Sequence, residues 1–127
     1  MITLDGAFYR IMDPEFEMRI PAWEGYEPAT ADEADATIYF PDGSRRYATF
    51  MTLDVVRKKM DGDARTGECL GGRYFYWSDL IIIRDVGFEG MAAAIRDLIT
   101  SGYIENACGL LEPLDDEEED DIQGEVG

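Results

Sequence analysis

Along the first fifty residues, apolar and polar positions change places on a short period. From Phe8 to Ile20 apolar residues recur among polar ones on either side of Asp13-Pro14, which predicts two short strands joined by a turn. Between Pro21 and Glu33 the breakers Pro21, Gly25 and Pro28 interrupt any period, so a loop is expected there. Ala36 to Phe40 and Arg45 to Met51 then flank Pro41-Asp42-Gly43-Ser44. In that turn Pro presets φ, Asp accepts a local hydrogen bond and Gly takes a positive φ, as a hairpin with a bulged loop requires.

The period lengthens after Thr52. Leu53, Val56 and Met60 recur at helical spacing, which predicts a helix capped by Thr52, ending near Gly62 and turning Arg57, Lys58 and Lys59 outward. Arg73 to Ile83 reads as a long aromatic and β-branched strand, bent at Ser78-Asp79. Its last part, Leu80-Ile81-Ile82-Ile83, lacks alternation, as expected of a central strand covered on both faces. A second helix, about Phe88 to Ser101, presents Met91, Ile95, Leu98 and Ile99 on one side and stops at Gly102. The order predicts an α+β fold: a mostly antiparallel sheet of four to five strands with two helices on one face. No internal repeat interrupts it.

Composition adds the electrostatics. The chain has 127 residues, 46% of them hydrophobic, enough for one core and too apolar for a wholly unfolded chain. Its formal charge is −17, and that charge is unevenly placed. Residues 1–40 hold nine acids and two bases, residues 41–111 ten and nine, and residues 112–127 nine and none. The expected organisation is therefore a single α+β domain over residues 1–111 and a disordered acidic tail over 112–127, built around Asp115, Asp116, Glu117, Glu118, Glu119, Asp120 and Asp121. Such a surface repels phosphate backbones and anionic lipid, so no direct nucleic-acid binding and no membrane attachment are expected. The start of the chain, Met1-Ile2-Thr3-Leu4-Asp5, lacks a basic region followed by an apolar stretch, which points to a cytoplasmic address. There Cys69 and Cys108, without metal spacing, are expected to be free, buried thiols.

Candidate chemistry is sparse. The sequence contains no His, which removes the imidazole base and every Ser-His or Cys-His dyad. Asp61-Gly62-Asp63 opens like a calcium loop but continues with Arg65, Thr66 and Gly72 where a ligand, Gly and Glu are needed, so ordinary residues at a helix end are the better reading. Cys69 sits in a glycine-rich stretch, yet Glu68 beside it disfavours a thiolate. Gly71-Gly72 lacks the Lys-Ser or Lys-Thr of a phosphate loop and reads as a turn. No catalytic residue, metal or cofactor is therefore assigned. Tyr39, Tyr47, Tyr74 and Tyr76 can share one sheet face opposite the helices, forming either a protein interface or a second small core under the N-terminal strands and the Trp23–Tyr26 loop.

The stretches Asp42-Gly43-Ser44-Arg45-Arg46-Tyr47-Ala48-Thr49-Phe50-Met51-Thr52 and Thr66-Gly67-Glu68-Cys69-Leu70-Gly71-Gly72-Arg73-Tyr74-Phe75-Tyr76-Trp77-Ser78-Asp79-Leu80-Ile81-Ile82-Ile83 resemble small bacterial proteins of uncharacterised type. Some similar small acidic proteins serve as immunity partners of polymorphic toxins. The resemblance carries over no site residue, because the matching segments are structural.

Together these readings predict a non-enzymatic acidic binding protein, an immunity-type inhibitor that occludes a basic bacterial toxin or nuclease. The expected partner-binding residues are Trp23 and Tyr26 as aromatic anchors, with Glu24, Glu27, Asp32, Glu33 and Asp35; the run from Asp115 to Asp121 supplies steering. The alternative is a nucleic-acid mimic acting on a phage-defence or DNA-handling protein. An enzyme using paired carboxylates and an acidic accessory domain whose charge serves solubility are further classes.

Overall fold

The structure is a computed structural model that describes residues 2–23 and 26–112. Five strands follow one another as an antiparallel meander: β1 (Ile2–Asp5), β2 (Phe8–Met12), β3 (Glu17–Pro21), β4 (Glu33–Tyr39) and β5 (Arg45–Thr52). The chain then forms α1 (Leu53–Thr66) and a short left-handed segment, α2 (Glu68–Gly72), before returning as β6 (Leu80–Ile83) parallel to β5. It continues through α3 (Phe88–Ser101) and α4 (Ile104–Ala107) and closes with β7 (Gly109–Leu111), antiparallel to β5. Because β4 occupies one side of β5, β6 and β7 share the other. Thr49–Thr52 pair with β6 and Arg45–Tyr47 with β7.

The alternation of strand side chains divides the molecule in two. Met18, Ile20, Ala34, Ala36, Ile38, Ala48 and Phe50 face one way and are buried with Phe88, Met91, Ala92 and Ile95 of α3. Each large side chain hidden there contributes about 1.5–3 kcal/mol of transfer free energy, so this face holds the fold together. Glu17, Arg19, Glu33, Asp35, Tyr39, Tyr47, Thr49 and Met51 face the other way. Helix α1 stands on that second side, where Lys59 reaches the Glu33 carboxylate at 3.6 Å.

Several expectations hold. The two N-terminal strands, the hairpin and α3 lie where the pattern places them, and α3 ends at a left-handed Gly102. The Thr52 hydroxyl accepts the Val55 N–H at 3.3 Å and caps α1. In the hairpin turn, Gly43 takes φ +90° and the Asp42 carboxylate accepts from Ser44 N–H at 2.8 Å.

Others are corrected. The fold is α+β, but the sheet has seven strands and the described residues hold four helical segments, not two helices on one face: α1 and α3 lie on opposite sides. The long strand expected from Arg73 begins only at Leu80, because Asp79 adopts φ +56° and breaks the extended backbone. β6 is not central. It ends the strand order, and its apolar run pairs with β5 alone. Helix α1 runs past Gly62 to Thr66 and stops at a left-handed Gly67, so Asp61-Gly62-Asp63 lies within it. Tyr39 and Tyr47 share a face, but α1 stands on it rather than opposite, and Tyr74 and Tyr76 belong to no strand. Of the two free thiols, Cys108 is buried and Cys69 only partly so. No helix among the described residues is long and apolar enough to cross a membrane.

Candidate protein interface

The second side of the sheet carries the polar chemistry, and its strands treat their carboxylates differently. On β3, Glu17 is fully engaged. Arg10 from β2 donates to it at 2.9 Å from both Nε and Nη2, and Arg19 Nε approaches at 2.5 Å. Arg19 also lies over the Tyr39 ring, 4.4 Å from its centroid. The Arg10 bond first, and Arg19 further, hold the Glu17 carboxyl below its ordinary range against the opposing effect of burial.

One strand further on, the carboxylates stay open. Asp35 projects from β4 beside Tyr47 and Thr49 of β5. The Tyr47 hydroxyl donates to its Oδ1 at 2.8 Å and the Thr49 hydroxyl at 3.0 Å. Thr49 is buried, so the side chain that fixes Asp35 is itself immobile, while Asp35 is exposed. Asp32 and Asp35 have no basic partner among the described residues, and Glu33 pairs with Lys59 at 3.6 Å. The result is a pre-oriented acceptor on a rigid strand, suited to an incoming ammonium or guanidinium.

Tyr26 ties the preceding loop to this cluster. Its ring packs edge-on against Phe88 with centroids 5.5 Å apart, and its hydroxyl donates to the Glu33 carbonyl. Burial first, then the negative charges of Glu33, Asp35 and Asp32, raises the pKa of this phenol well above its usual value. The Asp32 carbonyl accepts Thr52 N–H at 3.0 Å, pinning the loop to the start of α1.

The structure thus brings Tyr26, Asp32, Glu33 and Asp35 together. Trp23, at the head of the loop, is 66% exposed, and Glu27 is exposed where its carbonyl accepts the Thr30 and Ala31 N–H groups. Glu24 and the run Asp115, Asp116, Glu117, Glu118, Glu119, Asp120 and Asp121 lie outside the described residues. Sequence reasoning missed Thr49 as a holder of Asp35, since a cross-strand partner is legible only once register is known; the hairpin turn supplies that register in principle.

The other candidates resolve into structure. Burial, then Asp63 and Glu68, pushes the Cys69 thiol up, away from thiolate character. Among the described residues no three carboxylates or thiols converge as ligands for a metal ion. Two surface hollows of about 400 and 520 Å³ flank α3, lined mainly by Ile2, Pro28 and Val86 and by Ile11, Met12 and Ala92, with Glu89 at both and Arg96 at the second.

Comparison with family models, with curated proteins and with solved structures returns no match.

Proposed function

We propose that this chain is an acidic binding protein that occupies the cationic surface of a partner protein, in the manner of an immunity-type inhibitor of a basic toxin or nuclease. The supporting observation is Asp35, exposed, held by two hydroxyls on one oxygen and without a basic partner among the described residues, on the same strand face as Glu33. A nuclease cleft must be rich in Lys and Arg to hold phosphates. A surface of fixed carboxylates is steered to it, and an exposed indole such as that of Trp23 supplies short-range affinity. Occlusion of the cleft then inhibits, without chemistry by the chain itself.

The test is kinetic. The full chain is titrated against the product of the adjacent gene and a panel of basic toxin nucleases, reading both inhibition and association rate. The triple variant Asp32→Asn/Glu33→Gln/Asp35→Asn slows association about tenfold at low ionic strength and little at high ionic strength. Equal loss at both ionic strengths, or no inhibition of any basic protein, overturns the reading.

A further inference from the structure

The two edges of the sheet are unlike. β1, at one edge, carries Asp5, which pairs with Arg10 at 3.2 Å. β6, at the other, is Leu80-Ile81-Ile82-Ile83 and has no charge at all. The Asp79 carbonyl accepts Thr49 N–H at 3.0 Å, and the parallel register sets Phe50 beside Ile81. In such a ladder alternate residues bond to the neighbour, so Ile81 and Ile83 turn their backbone groups to β5 while Leu80 and Ile82 present theirs outward. The Ile82 side chain is 50% exposed. In the segment leading to β6, Tyr76 is 76% exposed, and Trp77 stacks on Phe75 and lies under the Lys59 ammonium, 5.4 Å from its ring centroid. Proteins normally blunt an edge of this kind with an inward charge, a Pro or a bulge, and β6 has none of these.

Charge indicates what covers it. The chain bears −17 overall, but between Arg73 and Asp85 two bases, Arg73 and Arg84, balance two acids, Asp79 and Asp85. Asp79 is also turned inward, its Oδ1 accepting Gly109 N–H at 3.0 Å. A cationic partner drawn to the acids gains nothing at this edge. Two copies of the chain, which repel each other most strongly at their acid-rich surfaces, meet here with the least of that repulsion, and an uncharged antiparallel edge is complementary to itself.

We infer that β6 is a self-pairing edge: two copies join antiparallel through Leu80–Ile83 about a two-fold axis, with Tyr76 and Trp77 flanking the seam. Leu80 of one copy then exchanges backbone hydrogen bonds with Ile82 of the partner subunit. Four strand residues make a short seam beside the roughly 1,600 Å² of a standard interface, so the dimer forms in the micromolar range.

Sedimentation velocity of the full chain, from about 1 to 500 μM at low and high salt, tests this. The expected result is a monomer–dimer equilibrium that tightens with salt, because screening relieves repulsion between two like-charged copies. That sign separates it from the proposed capture of a basic partner, which salt weakens. Ile82→Lys and Tyr76→Lys each weaken the dimer about tenfold or more, whereas Leu4→Lys on the β1 edge leaves it unchanged. If Ile82→Lys fails to fold by circular dichroism, Tyr76→Lys carries the same test from outside the strand. A monomer at every concentration, a dimer that salt dissolves, or one indifferent to the folded variants overturns the inference.

Discussion

The Tyr47 hydroxyl and the Asp35 carboxylate meet at 2.8 Å across the β4–β5 pair, and Thr49 Oγ1 shares the same carboxylate oxygen at 3.0 Å. Residue 35 is thereby a fixed acceptor rather than a mobile surface charge, and the second oxygen of its carboxylate is left for a ligand. Glu17, on the neighbouring strand β3 and the same face, shows the satisfied counterpart, with two arginines in place.

Removing the holder separates orientation from charge. Tyr47→Phe keeps the carboxylate and costs about 0.5–1.5 kcal/mol of stability in urea unfolding. Combined with Thr49→Val the loss is less than additive with Asp35→Ala, because both hydroxyls serve one oxygen. Strict additivity in that double-mutant cycle argues that the two bonds do not form in solution.

At alkaline pH the fold weakens through buried acids. Burial first, then Asp79, pushes the Cys108 thiol up to about 11, and burial followed by neighbouring carboxylates raises the Tyr26 and Tyr47 phenols. Each group binds its proton more tightly folded than unfolded. The stability this provides is whole below the unfolded-state value and is lost as pH climbs through the folded-state one. Urea midpoints therefore fall progressively above about pH 9. Native Cys108 also resists alkylation at pH 8, while the partly exposed Cys69 reacts first, as mass spectrometry of the labelled protein reads directly.

Acid acts on a different bond. The Asp13 side chain is only 4% exposed, and burial alone would favour its neutral form. The Glu15 N–H at 3.0 Å and the Arg96 guanidinium, with Nε at 2.6 Å, outweigh burial and hold the carboxyl below its usual range. A depressed folded-state value gives stability that is full above the unfolded one, near 4, and is lost as pH falls below it. Arg96→Gln moves the Asp13 titration upward by NMR and flattens the acid limb of the stability curve. An unmoved titration would show that the arginine does not reach it.

The turn after α1 makes an asymmetric prediction about backbone. Cys69, Leu70 and Gly71 all have left-handed φ values of 51°, 53° and 68°, and Gly72 follows at 80°. A Cβ at Gly72 would lie 2.3 Å from the Met60 carbonyl oxygen, so Gly72→Ala costs about 2 kcal/mol or more and loosens the packing of α2 on α1. Leu70 is 72% exposed in the same backbone region, so Leu70→Asn, which tolerates it better, is neutral or stabilising in thermal melts. Equal destabilisation by both substitutions would contradict this geometry.

Local pattern determined much of this protein. The period-two runs, Pro41-Asp42-Gly43-Ser44, the Thr52 cap and the stop at Gly102 act through neighbours a few residues apart, and that range is where sequence speaks directly. The acidity of Asp32, Glu33 and Asp35 was equally legible. What pairs with what was not. Leu80-Ile81-Ile82-Ile83 reads the same whether it is central or at an edge, because an apolar run reports burial and not the number of neighbours. β1 and β7 are too short to announce themselves, and only the second side of β5 gave β7 a partner. The convergence of Tyr47 and Thr49 on Asp35, the placing of α1 and α3 on opposite faces and the exposed edge at Ile82 all depend on contacts between residues distant in the chain, which tertiary packing alone selects.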